Sequence, residues 1–215
     1  LAEMRVLFDR EAARYHVDPV NDRTDWGRAG SQTRAYVEPR DRFVYWGKGL
    51  MFDTDIAPSL AARSFTITAE VTPGDGVLVA TGSSLGGWSF SVENGKPTVH
   101  HALTPMPADK FTLASPERLK SAGPSQITFR FDYDGGGPGK GGTIAILIDG
   151  RQVASSHIDR TILIPTPHSE SFDIGVDTGV PVADYATPSG AFAGHIDKIV
   201  IDLAPPGAKG AAGAH

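Results

Sequence analysis

The chain has 215 residues, no cysteine, and 20 basic against 25 acidic side chains, for a formal net charge of −5. Disulfides, thiolate metal sites and cysteine nucleophiles are therefore excluded, and no stretch concentrates Lys and Arg as a nucleic-acid surface requires. No run approaches the roughly 18 apolar residues of a membrane helix, while 25 glycines and 16 prolines favour short strands and turns over long helices.

Leu1, Met4, Phe8, Ala12 and Tyr15 recur at spacings of three and four among Glu3, Arg5, Arg10, Glu11 and Arg14. This predicts an amphipathic helix within residues 1–19. Pro19 closes it, since proline removes a donor and disfavours helix in the residue before it. The opening Leu1-Ala2-Glu3-Met4 has no apolar signal core, and a chain that begins inside a helical pattern is expected to be part of a longer protein. Residues 20–62 carry Arg23, Arg28, Arg34, Arg40 and Arg42, with one aromatic cluster of Phe43, Tyr45 and Trp46. They read as an irregular connector with one or two short strands, draped over a surface.

From residue 63 the period becomes two. Phe65, Ile67, Ala69 and Val71 alternate with Thr66, Thr68 and Glu70, as a half-buried strand does. Residues 77–82 make a short apolar strand. Trp88, Phe90 and Val92 alternate with Ser89, Ser91 and Glu93, and Asn94-Gly95 predicts a hairpin into residues 97–103. Ile127, Phe129, Phe131 and Tyr133 alternate again. Ile144 to Ile148 is apolar on both faces, as in a central strand, and Asp149-Gly150 turns into residues 151–158. The last strands fall at 171–176 and within 191–203, and the Gly/Ala-rich tail from 205 to 215 has nothing to bury, so it is expected to be disordered. Eight to eleven strands without intervening helices over residues 63–204 predict an all-β, antiparallel β-sandwich of the jelly-roll kind.

Few motifs carry chemistry. Gly82-Ser83-Ser84-Leu85-Gly86 matches a nucleophile elbow, but a strand rather than a helix follows it, so a hairpin loop is expected. Gly135 to Gly142 lacks the first glycine and the final Ser/Thr of a phosphate loop. His100 and His101 are adjacent on a strand, point to opposite faces and cannot readily share a metal. Asp173, Asp177 and Asp184 are candidate oxygen ligands for calcium, against the alternative of turn capping. Trp88 and Tyr185 are candidate sugar-stacking rings, although Trp88 lies in phase with the core positions Phe90 and Val92. No acidic pair sits at the spacing that glycoside hydrolysis needs; Asp132 and Asp134 come nearest, at a strand end. No catalytic residue is assigned.

Gly142-Thr143-Ile144-Ala145-Ile146-Leu147-Ile148-Asp149-Gly150-Arg151-Gln152-Val153-Ala154 resembles the strand–Asp-Gly–strand hairpin of concanavalin/laminin-G-like sandwiches, and Phe192 to Ile201 resembles their final strand. A broader resemblance is to the C-terminal region of bacterial arylsulfatases. It rests on Leu7 to Arg23, where Tyr15, Val17, Pro19, Asp22 and Arg23 match, on Ser64 to Val71, Gly86-Gly87-Trp88-Ser89, Phe131 to Gly137, and Asp173 to Gly179. The resemblance implies a non-catalytic domain at the end of a sulfatase, with residues 1–19 as the end of the catalytic domain. Its expected partner is that domain, with homo-oligomer contacts as a further role and neither nucleic acid nor membrane as a partner. Such sulfatases use calcium and a formylglycine, both belonging to the catalytic domain, and no Cys/Ser-x-Pro-x-Arg occurs here. This chain alone is expected to be inert toward sulfate esters. The alternative is a lectin-like carbohydrate-binding module.

Overall fold

The computed structural model describes residues 2–14, 40–54, 56–162 and 170–208. The chain divides into two units, residues 1–40 and 41–215. In the first, helix α1 spans Ala2–Arg14, with Glu3 in its first turn and Arg14 in its last, each of the sign that the helix dipole favours at that end. Residues 15–19 of the predicted helix, Pro19 included, and residues 20–39 of the predicted connector lie outside the described residues.

The second unit is built from twelve described strands in two antiparallel sheets. Strands β1 (Arg42–Trp46), β3 (Phe65–Val71), β8 (Ser125–Tyr133), β9 (Lys140–Ile148), β10 (Arg151–Arg160) and β12 (Ile196–Leu203) form one sheet, ordered β1-β12-β3-β8-β9-β10. Strands β2 (Leu50–Asp53), β4 (Gly76–Ser83), β5 (Gly86–Glu93), β6 (Lys96–Ala102), β7 (Lys110–Ala114) and β11 (Ser171–Ile174) form the other, ordered β2-β11-β4-β5-β6-β7. The chain crosses repeatedly between the layers, as a jelly roll requires.

Alternation puts one face of each sheet into a shared core. Phe65, Phe129, Phe131, Ile144, Ile146, Ile199 and Ile201 from the first sheet meet Val79, Trp88, Phe90, Val99, Phe172 and Ile174 from the second. Each such side chain contributes about 1.5–3 kcal/mol by leaving water. Trp88 is 8% exposed, stacked on Phe65 at 6.0 Å and edge-on to Phe129 at 5.6 Å. As a sugar-stacking candidate it is corrected accordingly: its phase along β5 sends the indole inward among Phe65 and Phe129 rather than onto the outer surface.

The stretch expected as a connector with one or two short strands carries two, β1 and β2. β1 pairs with β12 and β2 pairs with β11, and Tyr45 of β1 meets Phe52 of β2 across the layers at 5.1 Å. The sandwich therefore starts at β1, ahead of residue 63. Both are edge strands with half-exposed side chains, which blurs the period-two signal. β7, another edge strand, went unrecognised in the sequence for the same reason. Asn94 and Gly95 have φ of 51° and 71°, and Asp149 and Gly150 have 48° and 79°, the left-handed pairs of type I′ turns. Gly82 to Gly86 is the β4–β5 hairpin, with Ser83 buried and its Oγ accepting the Leu85 N–H at 3.2 Å. Of the predicted tail, residues 209–215 lie outside the described residues.

Candidate functional site

The Asn94-Gly95 turn sets the register of β5 on β6, so that Ser89 stands opposite His100 and Ser91 opposite Thr98, while His100 stands opposite Thr112 on β7. Because Trp88, Phe90 and Val92 point into the core, Ser89, Ser91 and Glu93 stand in a row on the outer face. His100 joins them there. Its Nε2 is 2.6 Å from Glu93 Oε1, and its Nδ1 is 3.0 Å from Thr112 Oγ1. Ser91 donates to the same Glu93 oxygen at 2.8 Å. These contacts, His100 foremost, hold the Glu93 carboxyl below its ordinary range against the opposing effect of burial.

Over this face passes the loop of residues 177–189. Its base is closed where the Asp177 N–H donates to the Ser189 carbonyl at 2.8 Å and the Phe192 N–H to the Gly175 carbonyl at 3.0 Å, the construction of an Ω-loop. Gly190, at φ of 57°, permits a close approach: a Cβ there would lie 2.6 Å from Val77 Cγ2 and 2.8 Å from Tyr185 Cδ2. The Tyr185 hydroxyl sits 2.7 Å from both Ser89 Oγ and Asp177 Oδ2. With one hydrogen to give, it donates to the carboxylate and accepts from the serine. The Val182 N–H donates to the same Asp177 oxygen at 2.9 Å. Beneath the loop, Ser89, Ser91, Asp173 and Asp177 are each at most 1% exposed, although alternation places the first three on the outer face.

This burial shapes the electrostatics. Desolvation lifts Asp177 to about 6; its bonds from Tyr185 and Val182 oppose the rise, and the charges of Asp173 and Glu170 add to it. Burial, then the Asp177 charge, raises the Tyr185 phenol, so it stays protonated. Asp173 Oδ2 accepts from the Thr178 N–H at 2.6 Å and from its hydroxyl at 2.7 Å, while Oδ1 has no partner.

Between the loop and the β4–β5 turn lies a pocket of about 590 Å³, lined by Ser84, Lys110, residues 180–187 and Ser189. The Ser84 N–H donates to the Pro181 carbonyl at 3.0 Å and so ties the two walls together. Lys110 and Asp184 both line it. Tyr185 lines it as well, with its hydroxyl engaged by Ser89 and Asp177 and its ring edge-on to His100 at 6.3 Å.

Of the residues singled out in the sequence, Asp173, Asp177 and Tyr185 come together under one loop, Asp184 stands exposed on the pocket wall, and Trp88 lies in the core. Both buried aspartates cap their own loop, accepting backbone N–H groups from Thr178 and Val182. Among the described residues no three His, Asp or Glu side chains gather in a metal-binding group. Glu93, His100, Ser89 and Lys110 were missed as site residues. For the first three the signal was present in the two-residue Asn94-Gly95 turn, which dictates that Ser89 and His100 are cross-strand neighbours; nothing local marked Lys110.

The two sheets and their crossovers define a concanavalin/laminin-G-like jelly-roll β-sandwich. No family model and no curated protein sequence matches the chain. Among solved structures, the CBM40 of the Ruminococcus gnavus IT-sialidase aligns at a TM-score of 0.52 and 14% identity, over 76% of this chain and 94% of that chain. The same module solved with alpha2,3 sialyllactose bound aligns equally well. Domains LG4-5 of the mouse laminin alpha1 chain align at 0.52 and 9% identity, over 77% of this chain and 42% of theirs. At these identities the likeness is one of fold.

Proposed function

We propose that this chain is a carbohydrate-binding module whose site is the pocket between the 177–189 loop and the β4–β5 turn. The observation that carries the reading is the lining of that pocket. Ser84, Thr187, Ser189, Lys110 and Asp184 line it beside apolar residues and Tyr185. A sugar offers hydroxyls in its plane and C–H patches above it, so such a mixture of donors, acceptors and one aromatic face is the complementary surface. The sialidase module of the same fold was solved with a sialylated trisaccharide, which supports including acidic glycans among the ligands; Lys110 is the cation to meet them.

Calorimetric titration with neutral and sialylated or sulfated oligosaccharides tests this. Saturable binding that Tyr185→Ala weakens about tenfold or more is expected, given what one aromatic contact contributes. Lys110→Ala is expected to weaken acidic ligands selectively. Silence of the wild-type chain across the panel refutes the reading.

The segments resembling arylsulfatase C-terminal regions support a second reading, compatible with the first, in which the module is carried beside a sulfatase catalytic domain. In that arrangement the calcium and formylglycine belong to the partner domain. The chain by itself then gives no turnover of an aryl sulfate, and measurable turnover would refute it.

A further inference from the structure

A second cavity, separate from the glycan pocket, opens between the two sheets at one end of the sandwich. Its volume is about 120 Å³. The walls are aromatic, with Phe65, Trp88, Phe129, Phe131 and Phe172 among them, and residues 57–62 line it from the β2–β3 connection. Among the described residues no Lys, Arg, Asp or Glu lines it. An apolar cavity of about 150 Å³ takes benzene; at about 120 Å³ this one, open at one end, takes at most a single six-membered ring.

One feature sets it apart from a packing void. His101 lines the cavity although it is only 8% exposed. Among the described residues its imidazole has no hydrogen-bond partner, in contrast to His100 beside it, which has two. Strand alternation produces the difference, sending His100 to the polar outer face and His101 inward opposite Trp88. Burial takes His101 down to about 4, so the ring is neutral under ordinary conditions and presents one N–H and one bare nitrogen. Its ring nitrogens are not among the fully buried atoms left without a partner, so a ligand hydroxyl can reach the ring from the cavity it lines.

We propose that this cavity is a binding site for a small neutral aromatic alcohol, a phenol-class molecule whose ring lies among the phenylalanines and whose hydroxyl bonds to His101. The hydroxyl satisfies the imidazole, and the ring replaces empty space beside Phe65 and Phe129. A carboxylate of the same size is disfavoured, since among the described residues no cationic side chain lines the cavity to compensate its desolvation. The ring supplies the fit and the hydroxyl adds affinity, so an alkylbenzene fits but binds less well.

The test uses the full chain with p-cresol, toluene and benzoate, followed by ¹H–¹³C NMR of the aromatic and methyl resonances. p-Cresol is expected to saturate and to bind about tenfold tighter than toluene, the ratio one hydrogen bond in an apolar site supplies. Benzoate is expected to leave the spectra unchanged. In His101→Phe the preference for p-cresol is expected to vanish while toluene still binds. Should that variant not fold, the His101 Hε1 resonance of the wild-type chain reads the same contact, moving with p-cresol and not with toluene. The proposal is overturned if neither p-cresol nor toluene saturates, if benzoate binds as well as p-cresol, if the preference survives in His101→Phe, or if the His101 resonance ignores p-cresol.

Discussion

Replacing Asp177 with asparagine removes a charge that the fold holds almost out of water. The carboxyl is lifted from 3.8 to about 6 by burial, a difference of roughly two units at 1.36 kcal/mol each. A carboxyl whose folded pKa lies above its unfolded one binds its proton more tightly in the fold. Stability therefore rises as pH falls through about 6 toward 3.8, and the charged form is a burden above that window. At pH 7.5 the burden is about 3 kcal/mol. Asparagine keeps an oxygen for the Val182 N–H and the Tyr185 hydroxyl, which both reach Asp177 Oδ2, and carries no charge. Asp177→Asn is therefore expected to stabilise the chain by about 3 kcal/mol at pH 7.5, with about 1.4 kcal/mol of that advantage gone at pH 5. Urea unfolding of wild type and variant at both pH values measures it, and taking the difference at each pH cancels every other titrating group. A variant less stable than wild type at pH 7.5, or an advantage that does not shrink toward pH 5, refutes the reasoning. A charge retained at such a cost is what a functional loop, rather than a structural one, is expected to contain.

His101 acts in the opposite sense: its pKa falls from 6.5 to about 4, so its contribution is complete above 6.5 and is lost as pH drops toward 4. Wild type is expected to lose about 2 kcal/mol from this group between pH 7.5 and 5, a loss absent in His101→Phe, and urea titrations at the two pH values would detect it. Trp88→Ala removes an indole packed between Phe65 and Phe129 and is expected to cost about 3–5 kcal/mol; a loss below 1 kcal/mol in chemical denaturation would place that side chain outside the core. Gly82→Ala puts a methyl 2.3 Å from the Gly86 carbonyl oxygen at a φ of 82°, so about 2–3 kcal/mol of destabilisation is expected, readable as a lowered Tm.

Much of the fold was legible before any coordinate. Alternation in Phe65–Val71, Trp88–Val92 and Ile127–Tyr133 reports directly which side chains meet the opposite layer, because a strand's period of two is local geometry. The Asn94-Gly95 and Asp149-Gly150 turns were legible for a similar reason: positive φ at two successive residues is a property of those residue types. One or two short strands were expected where β1 and β2 lie, but their bounds and pairing were not legible, since an edge strand is recognised by its partner, and Asp202 opposite Arg42 or Asp53 opposite Ser171 are contacts across more than a hundred residues.

The candidate site divides along the same line. Local sequence determined that Trp88 faces inward and Ser89 outward, and that Asp173 sits in a short strand with Asp177 in the chain just after it. Only the tertiary structure decided that the 177–189 loop covers the outer face of β5, bringing Tyr185 onto Ser89 and Asp177. It also decided that His100 meets a carboxylate while His101 meets an aromatic cavity. The reason is that backbone dihedrals and side-chain alternation are settled within a few residues, whereas burial, and with it the protonation of Asp177 and His101, depends on what distant chain comes to lie on top.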